Sequence, residues 1–262
     1  MPSDTQTAAR AKYELVKRNQ ATMQQVTALL EAESNQVLSL AQQFDRQQLG
    51  GYLRTVVPGL VDRYGNVNAA AAMKYYDEQR ALAFTGKGLT DWRRGSQRIA
   101  AAKLKSQIFV ASLPQFDTPT ISEPIIGWGM AQHVDNGFEA MKQAVTSSMT
   151  RAVASFNRDT ILYNAGLDEA VYKVQRVAEA KACEFCRLVA FQSYRGSDVR
   201  TANYAIDFHD HCHCSIETIY LGDKPVRPDY YDQFEQNYID AASNVGTRDT
   251  KRVLAEMRRL AP

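Results

Sequence analysis

Cys183-Glu184-Phe185-Cys186 opens, and His209-Asp210-His211-Cys212-His213-Cys214 closes, the stretch around which this chain is organised. All four cysteines lie inside it, with three of the four histidines; the fourth, His133, is far upstream. Zinc takes four soft or borderline donors in a tetrahedron. A Cys-x-x-Cys pair brings two thiolates to one ion from a single turn, and the gap to His209 is long enough for an excursion and a return. The second group then supplies the remaining donors. Cys212 and Cys214 point the same way on an extended segment, because side chains alternate along a strand. By the same alternation His213 faces away from both and is the weakest candidate. Cys183, Cys186, His209, His211, Cys212, His213 and Cys214 compete for the places of one closed site. The spacing favours Cys183, Cys186 and His209, with Cys212 or Cys214 as the fourth, and it does not choose between those two.

Two disulfides or free thiols are the other readings of the same cysteines. Disulfides belong mainly to exported proteins. Met1-Pro-Ser-Asp-Thr-Gln6 holds no apolar signal core, and no apolar run approaches a membrane span. The expectation is a chain made in a reducing cytoplasm, with no membrane partner and with structural Zn2+ as its cofactor.

Upstream of the cluster the sequence reads as helical. Val16, Met23, Leu30 and Val37 recur every seven residues, with Tyr13, Val26, Leu40 and Phe44 near the same side, and predict a helix over 8–48. Such spacing suits a coiled coil, but flanking charges are sparse and an ordinary buried face is preferred. Gly50-Gly51 predicts a break, with a second helix over 52–64 carrying Pro58, a stop at Gly65 and a cap at Asn66 or Asn68. An alanine-rich helix over 67–83 follows, with Tyr75 and Tyr76 as core. Residues 84–126 hold Pro114, Pro119 and Pro124 and read as an arm or linker. Its first half is basic, with Lys87, Arg93, Arg94, Arg98, Lys103 and Lys105 around Asp91 and Trp92. A solvated face is preferred there over direct contact with phosphates and bases. Phe138, Met141, Val145, Met149, Ala152, Val153 and Phe156 form one apolar stripe. They predict a helix over 136–165, capped at Asn136 and stopped at Gly166.

Around and after the cluster the pattern changes. Val171, Val174 and Val177 predict a strand or two, Leu188 to Phe191 a short helix, 193–207 a polar loop, and Ile216, Thr218 and Tyr220 a strand. So small a β element buries little apolar surface, and a metal can substitute for a core. Tyr231, Phe234 and Tyr238 share a face of a later, acidic helix. Arg248, Lys251, Arg252, Arg258 and Arg259 make the end basic, beside the apolar Val253, Leu254, Met257 and Leu260. The predicted fold class is mainly α with a small β element (α+β): a helical body plus a small zinc-stabilised module. It divides into an N-terminal helical region 1–83, a basic arm 84–126, a central long helix 127–167, a β/zinc module 168–222 and a C-terminal helical segment 223–262.

The chain has 262 residues, 45% of them hydrophobic, enough to bury a core. Its 31 basic and 29 acidic residues leave a net charge of +2, so any contact with nucleic acid is local.

A Cys-x-x-Cys followed by His-x-x-Cys-x-Cys, here Cys183, Cys186, His209, Cys212 and Cys214, resembles the signature of the phage Mu F-like minor head proteins. His-Asp-His-Cys-His-Cys keeps that family's spacing and resembles the version in phages of actinobacteria. Tyr64 to Arg80 and Asp249 to Arg259 are similar to the same group. The resemblance implies a minor capsid protein of a tailed phage, placed inside the head beside the portal and aiding head assembly or DNA delivery. Its implied partners are the portal, a scaffold or the major capsid protein, with local contact to packaged DNA.

Two other classes compete. A metal-dependent nuclease or other zinc hydrolase could use His209-Asp210-His211 as its core. However, the His-x-Glu of zinc deaminases and the His-Glu-x-x-His of metalloproteases are missing, and the wealth of cysteine favours a closed structural site. A zinc-finger nucleic-acid binder would use Arg187, Arg195 and Arg200, against which stands the near-neutral charge. The expectation is a protein that is not an enzyme.

Overall fold

The computed structural model describes residues 4–84, 109–196, 208–209, 212–220 and 225–260. The fold is mainly α with a small two-stranded sheet. The basic stretch from Lys87 to Lys105, Asp210, His211 and most of the polar stretch over 193–207 lie outside the described residues.

Helix α1 runs Asp4–Ser39. Val16, Met23, Val26, Leu30, Ser34 and Leu38 are buried, while Val37 is only half-buried. The buried stripe thus drifts from the seven-residue repeat, as a straight helix of 3.6 residues per turn requires. The helix ends before residue 48 because a capping box starts the next one. The Gln48 N–H donates to Asp45 Oδ1 at 2.8 Å, and the Asp45 N–H donates to Gln48 Oε1 at 3.0 Å.

Helix α2 is unbroken over Arg46–Phe84. Gly50-Gly51 falls in its first turns, and Pro58 is carried inside it. Gly65 is not a stop. It is buried against the Phe156 ring, where a side chain would collide. Asn68 is no cap either: its Nδ2 donates to Val153 O at 3.1 Å, tying two helices together.

The predicted arm gives way at its end to helix α3, Thr118–Asn136. Asp117 caps it, accepting from the Thr120 N–H at 3.3 Å, and Pro119 sits in the first turn, where its missing N–H costs nothing. Pro124 is carried inside the helix. Gly137, at φ 87°, makes the corner into helix α4, Phe138–Leu167. Asn136 therefore closes α3 instead of capping α4, and Gly166 lies within α4. The predicted stripe is core: Met141, Val145, Met149, Val153 and Phe156 are all buried.

These four helices share one apolar core. Strand β1, Val171–Val177, pairs antiparallel with β2, Ser215–Tyr220, with Val174 opposite Thr218 and Arg176 opposite Ile216. A second core joins the sheet to the helices: Val174, Val177 and Ile216 meet Val16, Ala72, Tyr75, Tyr76 and Ile161. Between the strands comes α5, Glu184–Gly196. Two more helices follow, α6 (Tyr231–Val245) and α7 (Thr250–Leu260). Tyr231 and Phe234 are buried, and α7 docks on its own chain through Val253 and Met257 against Leu188 and Ala241.

Candidate metal centre

Cys183 and Cys186 meet at the start of α5. The Arg187 N–H donates to Cys183 O at 2.9 Å, so Cys183 occupies the capping place and Cys186 the first turn. The first N–H groups of the helix, that of Cys186 among them, and the positive end of its dipole face this place and favour a thiolate. His209 is brought in from the other side. Its Nε2 lies 3.1 Å from Cys183 Sγ and 3.0 Å from Cys186 Sγ. The Cys212 N–H donates to His209 O at 3.3 Å, a turn that returns the chain. Cys212 Sγ then lies 3.5 Å from Cys186 Sγ, and Cys214 stands immediately before β2.

All five sequence-predicted site residues therefore converge. Cys183, Cys186 and His209 form one donor group and Cys186, Cys212 and Cys214 a second, with the ligand atoms of each within 4.8 Å of one another. Cys186 belongs to both. All four cysteines are free; the 3.5 Å separation of Cys186 and Cys212 is far beyond a disulfide bond. Tetrahedral zinc bonds imply edges of about 3.8 Å between sulfurs and about 3.5 Å from sulfur to nitrogen. The observed contacts fall within about 0.6 Å of those edges. The donor set is soft and could hold a metal ion. His213 is elsewhere: its Nε2 approaches Thr27 Oγ1 at 3.4 Å, and it lines a small cavity with Glu31 and Arg151.

The surroundings sharpen the chemistry. Cys183 receives the hydrogen bond of the Cys186 thiol and, against some burial, the Cys186 N–H and the His209 ring, which hold it down at about 5. Cys212 is also held down, first by hydrogen bonds from Cys186 and Cys214 and then by Arg158 and Arg176. Cys186 is pushed up, because it donates to its neighbours before burial adds to the effect. Thiolate character therefore concentrates on one residue of each pair.

Arg158 and Arg176, which sequence reasoning passed over, stand behind the sulfurs, and both are 0% exposed. Arg158, from α4, donates through Nε to Cys214 O at 3.1 Å and through Nη2 to Cys212 O. Arg176, from β1, donates through Nη2 to Cys186 Sγ and Cys212 Sγ, both at 3.2 Å. Both guanidiniums stack on one ring, Phe208, with Cζ 3.7 and 4.1 Å from its centroid. Burial pulls Arg176 down, but the sulfurs of Cys214, Cys212 and Cys186 outweigh it and hold it firmly charged. A signal existed for both residues. Arg158 is four residues after buried Ala154 and three before buried Ile161, and Arg176 is in phase with Val174 on the strand. Each cation occupies an apolar face.

Among the described residues, no helix is long and apolar enough to cross a membrane. A family model described as VG15 protein matches residues 10–241. No curated protein and no solved structure matches the chain.

Proposed function

The chain belongs to the VG15 protein family, and we propose that it is a minor capsid protein of a tailed phage, of the Mu F-like type. A viral protein family fits a phage protein. The observation that carries the finer reading is the convergence of Cys183, Cys186, His209, Cys212 and Cys214, the residues whose spacing resembles that family's signature. In this reading the cluster holds one Zn2+ for structure. Three of its four cysteines are buried, and the five donors outnumber the four places a closed site offers, which leaves little room for a reactive water. The chain then has no hydrolase activity of its own. The ion would fasten α5 and the loop before β2 to each other, and Arg158 fastens that loop to α4.

The protein then works by docking. Its place is inside the head near the portal, with the portal protein as main partner and a scaffold or the major capsid protein as further ones. The basic residues between Lys87 and Lys105, and those between Arg248 and Arg259, would touch packaged DNA locally. Quantitative mass spectrometry of purified particles tests this. The expected result is a copy number far below that of the major capsid protein; absence from both proheads and virions overturns it.

A further inference from the structure

We propose that Arg176, together with Arg158 and the Phe208 ring on which both stack, forms an outer layer of the metal centre that governs how tightly the ion is held. The inference rests on the zinc reading above and goes beyond it by assigning residues that are not ligands. Three observations, one on β1 and two on α4, carry it. Arg176 bridges two sulfurs, Cys186 and Cys212, at 3.2 Å each. Arg158 holds the carbonyls on either side of His213, those of Cys212 and Cys214. Its Nη1 is buried with no hydrogen-bond partner among the described groups, a donor held in the same place.

Two like charges buried against one aromatic ring are unfavourable unless anions face them. Zinc with three thiolates and a neutral imidazole carries a single negative charge, and one further thiolate makes it two. Two guanidiniums match that. The layer therefore favours the loaded state, through its charge and through two hydrogen bonds to sulfur. Hydrogen-bonded partners behind first ligands commonly set metal affinity by about 10–100-fold.

The test uses the full chain and zinc itself, in competition with a chromophoric chelator. R176M keeps the volume and removes both charge and donors. It is expected to bind zinc at least about tenfold more weakly. R176K keeps the charge, but one ammonium does not replace the guanidinium fork. Its affinity is expected to fall between the two, and it decides the matter if R176M does not fold. In the cobalt-loaded protein the thiolate charge-transfer band should move in both variants, because a hydrogen bond to sulfur is lost. A wild type without zinc overturns the zinc reading and this inference with it. A wild type that holds zinc, with a folded variant of equal affinity and an unmoved cobalt band, overturns only the outer layer.

Discussion

Gly65→Ala tests the packing that sets the position of α4. A Cβ at Gly65 would lie 2.5 Å from Phe156 Cε1, 2.6 Å from Cδ1 and 2.9 Å from Cγ. Carbon atoms settle at about 3.5–4.0 Å, so the ring or its helix must give by roughly 1 Å. The ring is not free to swing, because its other side stacks on Phe116 with centroids 3.8 Å apart. Overpacking of this kind costs about 1–3 kcal/mol, and three ring atoms under 3.0 Å put this case at the upper end. Alanine returns about 1 kcal/mol of helix propensity, leaving a net loss of about 2 kcal/mol. For a chain of this size that lowers the melting temperature by about 4–8 °C. Gly51→Ala is the control: Gly51 is exposed, and nothing lies within 4 Å of its Cβ position, so the same change should stabilise by up to about 1 kcal/mol. Urea unfolding followed by circular dichroism measures both. A Gly65→Ala protein as stable as Gly51→Ala would refute the close contact, and with it the distance at which α4 presents Arg158 to the thiol loop.

Cys186→Ser removes the sulfur shared by both donor groups and should lose the bound zinc, read by elemental analysis of protein purified without added metal; wild type without metal under reducing conditions defeats the reading. Structural zinc contributes roughly 10–16 kcal/mol in small fingers, so the variant should also lose amide protection. That loss should extend beyond 168–220 to the parts of α1, α2 and α4 around Val16, Tyr76 and Ile161 that share the sheet's core. Incubation with single- and double-stranded DNA and with casein, across several divalent metals, should give no cleavage; cleavage abolished by His211→Ala would make the nuclease reading correct.

Much of the site was legible because its chemistry is local in sequence. Cys183 and Cys186 are one turn apart, and His209, Cys212 and Cys214 sit on one short return, so spacing alone assembled them. The stripe on α4 and the aromatic face of α6 were legible because a helical period needs no partner to be seen. The errors fall where one residue type serves two ends. Gly65 reads as a stop in isolation, yet here it is the seat of Phe156, and only the meeting of α2 with α4 decides that. Pro119 reads as a loop breaker, yet it opens α3 once Asp117 and Thr120 are seen as its cap. The Asp45 and Gln48 capping box was a readable signal for the start of α2, and the glycines after it masked it.

The two arginines belong to a third kind. A cation in phase with an apolar face, as at Arg158 and Arg176, announces a buried counter-charge without saying where it comes from. Here it comes from a loop some fifty residues on from α4, and only the fold supplies the pairing. That makes the centre more than a clasp within a small module. Arg158 carries the loop to the helical body, Arg176 carries β1 to the sulfurs, and Phe208 is held between the sheet core and the thiol core. A metal bound there would fasten four elements, α4, β1, α5 and the loop before β2. The docking role proposed above needs helices held at fixed angles, and a metal bound at their junction would supply that.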